Sequence, residues 1–177
     1  MTVSNRSDSF SPVVSSHVDY LPKVMILGSS PGVISLEQQR YYAHPRNSFW
    51  WIMAQLFSFD FAGDYQYRLD KLSQSGVFLW DVLKRCERQG SLDVNILRQS
   101  EEVNDLESAV KKHATISMIC FNGKAAHAIF KRHFNASDFD HIEFHVLPST
   151  SPAHASMTRE EKLQHWQVIT DCLDNII

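Results

Sequence analysis

An α/β domain, built on a four-stranded parallel sheet with helices on both faces, is the fold class the sequence predicts. Three observations carry that expectation. Four short apolar runs, rich in β-branched and aromatic residues, recur along the chain. Stretches of helical periodicity lie between them, and strands alternating with helices close into a three-layer α/β/α arrangement whose parallel strands are buried on both sides. The 44% hydrophobic and 21% charged fractions of the 177 residues match ordinary globular usage, so the chain can fold around its own core. One domain over 21–177 is expected, preceded by a flexible, serine-rich leader over 1–20.

The first strand is the run Lys23 to Leu27, which ends in the Gly/Pro-punctuated loop 28–32. Residues 48–57 follow Pro45 and the capping-type Asn47 and carry apolar residues at helical spacing, predicting a helix. A weaker helix is expected over 64–74, then a second strand over 76–80 that stops at Asp81. Val103, Leu106 and Val110 predict a helix over 101–112. The β-branched, apolar stretch 115–121 predicts the third strand, and Asn122-Gly123 opens a helix over 124–134. A fourth strand over 141–147 leads into the stiff loop 148–152. Thr158 and Glu161 form a capping-box pattern at the start of a closing helix to residue 177. In such sheets ligands bind beyond the carboxyl ends of the strands, so the loops 28–32, 122–124 and 148–154 converge on one crevice.

Several function classes lack support. The net charge of −3 gives no global field for a nucleic acid, so any DNA contact needs a local basic face. Cys86, Cys120 and Cys172 are odd in number and form no C-x-x-C pair, which argues against a disulfide framework or a familiar zinc site and fits a reducing cytoplasm. The N-terminus lacks the apolar core of a signal peptide, and no apolar run approaches the ~20 residues of a membrane span. P-loop, dinucleotide-binding, zinc-hydrolase, zinc-deaminase and G-x-S-x-G motifs are absent, so neither a metal nor a cofactor is expected.

Three loops hold the candidate chemistry. In Gly28-Ser29-Ser30-Pro31-Gly32 the glycines permit close approach to a ligand. The stretch 41–50 gathers two tyrosines, His44, Arg46 and Asn47, a set suited to stacking on a planar base and gripping a phosphate, with Tyr42 and Asn47 the leading candidates. Ser149-Thr150-Ser151-Pro152-Ala153-His154 clusters hydroxyls that can donate to phosphate oxygens. Taken singly, the first and third are better read as ordinary loop chemistry, and at least two of Phe49, Trp50 and Trp51 suit a core.

Together and in this order, however, LGSSPG (27–32), YYAHPRNSFW (41–50), FNGKAAHAIF (121–130) and LPSTSPAHA (147–155) resemble the motifs of the uracil-DNA glycosylase superfamily. The resemblance runs from about Lys23 to the C-terminus and is nearest the hypoxanthine-DNA glycosylases and the mismatch-specific uracil/thymine branch. It implies a metal-free, cofactor-free monofunctional glycosylase that acts as a monomer on double-stranded DNA. The enzyme flips a deaminated base, hypoxanthine foremost, into a pocket and hydrolyses its glycosidic bond.

By the same resemblance Tyr42 stacks on the base, Gly28, Ser29, Ser30, Pro31 and Gly32 line it, and Asn122 meets its edge. Arg46, Gly123, Lys124, Ser149, Thr150, Ser151 and Pro152 hold the DNA backbone. His154 enters the vacated stack, with Met157 beside it. Arg40, Lys131 and Arg132 are the other nearby cations. Ser30 stands where uracil-specific members carry Asp or Asn. The hypoxanthine branch also replaces that residue and uses an asparagine in the aromatic loop, the position of Asn47 here. A mismatch-type uracil or xanthine glycosylase, and an inactive nucleic-acid-binding homologue, are the alternatives.

Overall fold

The computed structural model describes residues 5–174. It contains seven strands: β1 (Asn5–Asp8), β2 (Val24–Gly28), β3 (Val77–Asp81), β4 (Leu83–Arg88), β5 (Glu102–Val103), β6 (Met118–Asn122) and β7 (Glu143–Leu147). Seven α-helices accompany them: α1 (Val33–Gln38), α2 (Phe49–Phe57), α3 (Tyr65–Gln74), α4 (Leu106–Lys112), α5 (Lys124–His133), α6 (Arg159–Trp166) and α7 (Val168–Asp174). The four expected strands form one parallel sheet in the order β3-β2-β6-β7, with Ile26 level with Leu79 on one side and Cys120 on the other.

Central β2 is buried at every residue, as a strand covered on both faces must be. Alternate residues serve opposite layers. Val24 and Ile26 pack with Val77, Leu79, Met118 and Cys120 against Phe49, Ile52 and Met53 of α2, Leu72 of α3, Trp166 of α6 and Ile169 of α7. Met25 and Leu27 pack on the other side with Ile119, Phe121, Leu106 of α4, and Ala126, Ile129 and Phe130 of α5. Both the three-layer architecture and the four parallel strands agree with the sequence.

Three features depart from the sequence reading. First, β4 pairs antiparallel with β1 and with β5, making a small second sheet. Residues 5–8 of the expected leader therefore carry a strand, and Val13 bridges Leu79 at the outer edge of β3. The flexible-leader expectation is corrected for this stretch: β1 satisfies its backbone on β4, and Ser7 is buried. Residues 1–4 of that leader lie outside the described residues. Second, the helix expected from 101 begins at Leu106, capped by Asp105, because residues 102–103 are spent on β5. Third, the closing helix breaks after Trp166 into α6 and α7, and its expected end at 175–177 lies outside the described residues. The Thr158–Glu161 capping box is present. Among the described residues no helix is long and apolar enough to cross a membrane.

Candidate active site

The parallel strands all end at one edge of the molecule, and a cavity of about 530 Å³ opens there. That volume falls in the range of small-molecule sites. Its wall takes residues 28–32 after β2, Tyr41, Tyr42, His44, Arg46 and Asn47 from the loop before α2, Asp81 at the end of β3, Asn122 at the end of β6, and residues 149–153 after β7. Tyr42 and Asn47, which the sequence could only associate by proximity, thus share one cavity.

Tyr42 has φ 53°, a left-handed conformation that a bulky residue adopts only when its surroundings enforce it. Its ring stacks on Phe49 with centroids 4.0 Å apart, and its hydroxyl is buried without a hydrogen-bond partner. Burial, aided by the Asp81 charge, drives the phenol well above its usual pKa.

Asn47 is held by its own backbone turn: its N–H donates to His44 O at 2.8 Å, and its Oδ1 accepts the Phe49 N–H at 3.0 Å. The amide therefore satisfies the first free N–H of α2, one residue ahead of the N-cap Ser48, while lining the cavity. Ser48 fastens the same corner to the last loop, donating both N–H and Oγ–H to the Thr150 carbonyl.

The floor is Gly28. A Cβ built there would meet Asp81 Oδ1 at 2.6 Å and the Tyr42 hydroxyl at 3.0 Å, so only glycine lets β2 lie against both groups. Gly28→Ala is expected to be destabilised by about 1–3 kcal/mol through overpacking and to lose base excision at least tenfold. Thermal melting and single-turnover cleavage check this, and wild-type values in both would show that the floor yields.

Above it, the loop is tied from the small second sheet. Ser30 Oγ lies 2.7 Å from Ser7 Oγ of β1, Ser7 Oγ donates to Pro31 O, and the guanidinium of buried Arg88 from β4 also donates to Pro31 O. Ser29 Oγ donates to Asp93 Oδ1 at 2.7 Å, and Arg88 lies 3.2 Å from the same oxygen.

Three residues named by the sequence have more internal roles than expected. Asn122 spends its amide on Thr150, with Oδ1 accepting the Thr150 N–H and Nδ2 donating to Thr150 Oγ1, both at 2.9 Å. Thr150 is 1% exposed, so its hydroxyl is not on the surface where a phosphate would lie. Gly123, at φ 99°, packs against Ser149 and donates its N–H to Leu147 O, so it too is occupied within the protein.

Ser149, Ser151 and Pro152 remain on the cavity wall, whereas exposed Lys124 and half-buried His154 stand outside it. The His154 carbonyl accepts from buried Lys162. Lys131 and Arg132 belong to the last turn of α5, at the opposite end from the cavity, and Arg132 is paired with Glu101. The expectation that these two cations stand near the site is corrected.

Asp81 was missed. It is 3% exposed, its Oδ2 accepts from Ser9 Oγ at 2.9 Å, and Arg88 lies near enough to attract its charge. Burial outweighs these and, with Asp93 adding repulsion, pushes the carboxyl up to about 7. A carboxyl with a strongly shifted pKa in a cleft is a candidate for a functional role. Ser91 and Asp93 were missed as well. Among the described residues no three His, Cys, Asp or Glu side chains group to hold a metal ion.

The family model described as Uracil DNA glycosylase superfamily matches residues 16–172, nearly the whole chain. The chain belongs to this superfamily. A protein named hypoxanthine DNA glycosylase from Methanosarcina barkeri is 32% identical over 120 residues, covering 67% of this chain and 72% of that protein. One of the same name from Methanosarcina acetivorans is 29% identical over 153 residues, covering 86% and 92%. The solution NMR structure of a candidate uracil DNA glycosylase from Methanosarcina acetivorans superposes with a TM-score of 0.75 at 29% identity, covering 94% of this chain and 99% of that one. A superfamily glycosylase needs a pocket at the sheet's carboxyl edge for an extruded base, and the cavity lies there.

Proposed function

We propose that this DNA glycosylase removes hypoxanthine from double-stranded DNA by hydrolysis, leaving an abasic site. The reading takes 21–177, together with the preceding strand β1 and the Ser9–Val13 stretch that pack on it, as one catalytic domain acting as a monomer in the cytoplasm. The observation that carries it is the shared cavity of Tyr42 and Asn47 in a chain whose named relatives are hypoxanthine DNA glycosylases.

Flipping a base costs a few kcal/mol, least for a damaged or mispaired one, and stacking returns about 1–3 kcal/mol. Tyr42, with Phe49 packed on its ring, is rigid enough to offer that stacking surface. Asn47 is neutral and no strong base. Its oxygen, fixed by the Phe49 N–H, keeps a second lone pair to align a water with C1′ while the sugar gains positive charge and the base departs as an anion. The main-chain N–H groups of the 28–32 loop are the donors available to that anion.

Base selection follows from the floor. Hypoxanthine carries an N1–H donor where adenine has an acceptor, so an ionised Asp81 favours the first and repels the second. Arg46, Lys124, Ser149 and Ser151 hold backbone phosphates, and His154, outside the wall, fills the vacated stack.

A panel of duplexes holding hypoxanthine, uracil, xanthine or no lesion tests the proposal. Excision of hypoxanthine should exceed that of the others by at least tenfold. A preference for uracil would overturn the substrate, and binding without cleavage of any lesion would favour an inactive homologue.

A further inference from the structure

Beside the cavity, the residue before Tyr41 is Arg40, whose guanidinium stands 5.4 Å from the centre of the Tyr65 ring. Arg68, one turn further along α3, stands 6.0 Å from the same ring, 5.2 Å from that of Trp50 and 6.0 Å from that of Phe61. The Tyr65 hydroxyl in turn accepts the Tyr41 N–H at 2.8 Å, which links this group to the cavity wall. Because α3 leads into β3 and the strands point toward the cavity, the first turns of α3 lie at the cavity's end of the molecule.

Two guanidinium groups here share one aromatic ring with no carboxylate pairing either among the described residues. The charge of Asp64 reaches Arg68, but its carboxylate accepts the Tyr67 N–H and caps α3. Burial and the Arg40 charge both oppose ionisation of Arg68, and its Nε–H is buried without an acceptor. Stacking on aromatic faces fixes the guanidinium planes but does not neutralise them. Two guanidinium groups held by one ring, close enough for their charges to act on each other and without a carboxylate partner, offer their remaining N–H donors to an oxyanion.

We propose that Arg40 and Arg68, both held against Tyr65, bind one backbone phosphate of the DNA substrate outside the flipped nucleotide. The proposal rests on the DNA-glycosylase reading and extends the contact surface from the cavity rim onto α3. A chain of net charge −3 needs such local anchors, and these two cations are not cancelled by their neighbours.

The test measures the affinity of the full chain for an undamaged duplex between 50 and 200 mM salt, comparing wild type, Arg40→Gln, Arg68→Gln and the double variant. One phosphate contact contributes a slope of about 0.9 in log affinity against log salt. Each single variant should bind several-fold more weakly at low salt and lose about that slope. The double variant should lose little more, because both side chains hold the same phosphate.

Arg68 also packs on Trp50, so melting temperatures are measured in parallel. If Arg68→Gln does not fold, Arg40→Gln and Arg40→Glu at the exposed position decide, the second losing more affinity than the first. A wild-type slope and affinity in the double variant, or in both Arg40 variants, overturns the proposal, whatever small anions the pair binds. Should the wild-type protein excise no lesion and bind duplex without salt dependence, the glycosylase reading itself fails. Lesion excision with slopes that do not change among the variants sinks only the phosphate site.

Discussion

Asn47→Ala is expected to lower the single-turnover rate of hypoxanthine excision by about 10²–10³-fold, the loss typical of removing one preorganised polar group at a reacting centre. The same change removes the acceptor of the Phe49 N–H and should cost about 1 kcal/mol of stability, readable as a fall of a few degrees in melting temperature. The two effects separate by residue choice. Asn47→Asp keeps an acceptor at the helix start and, as a carboxylate, suits the positive end of the α2 dipole. It should restore stability while changing the chemistry from aligning water to taking its proton.

If Asn47 acts only as a cap, Asn47→Asp will recover stability and wild-type rate together, with the wild-type pH profile. If it acts on the water, the rate of Asn47→Asp will follow ionisation of the new carboxylate. Unaltered cleavage by Asn47→Ala would remove Asn47 from the chemistry altogether.

How much of this was legible in the sequence depended on whether a residue's neighbours were local. Strands β2 and β6 were visible because each is apolar on both faces and stops at a Gly-containing turn. Strand β4 was not: a register irregularity between Leu83 and Arg85 breaks the period-two pattern, and one of its inward residues is Arg88, a charged side chain that sequence pattern assigns to solvent. Without β4, its partner β1 reads as a serine-rich leader.

In the site, Tyr42 and Asn47 lie in one motif and could be named together, whereas Asn122 and Thr150 are 28 residues apart and nothing in either segment announces their paired hydrogen bonds. Asp81 looked like the polar residue that ends a strand. Its meaning came from Ser9, Gly28 and Tyr42, three segments that only the fold assembles. The cations followed the same logic. Lys131 and Arg132 were near the motif in sequence, but α5 carries them about 10–12 Å from Lys124 along its axis.

The buried carboxyl of Asp81 should make stability and activity move in opposite directions with pH. Its pKa in the fold is about 7, whereas in the unfolded chain it returns to the ordinary carboxylate value near 4. Between those values the folded state holds the proton and the unfolded state has released it, so stability falls as the pH rises through that window. Below it the penalty is absent, and above about 7 it is complete, amounting to roughly 4 kcal/mol.

Asp81→Asn, which keeps an oxygen for the Ser9 hydroxyl, should therefore raise the melting temperature at pH 8 by on the order of 10 °C and flatten its decline between pH 4 and 7. Excision should respond with the reverse sign: the ionised carboxylate accepts the N1–H of hypoxanthine, so the wild-type rate should climb as the pH passes 7, and Asp81→Asn should lack that limb. Burial, the Ser9 hydroxyl, Arg88 and Asp93 bear on this shift, and the buried phenols Tyr41 and Tyr42 feel the Asp81 charge in turn. Both tyrosines remain protonated throughout this range. A melting profile for Asp81→Asn that falls with pH as steeply as the wild type's would show that the buried charge is not the cause, and the base-reading role for Asp81 would fall with it.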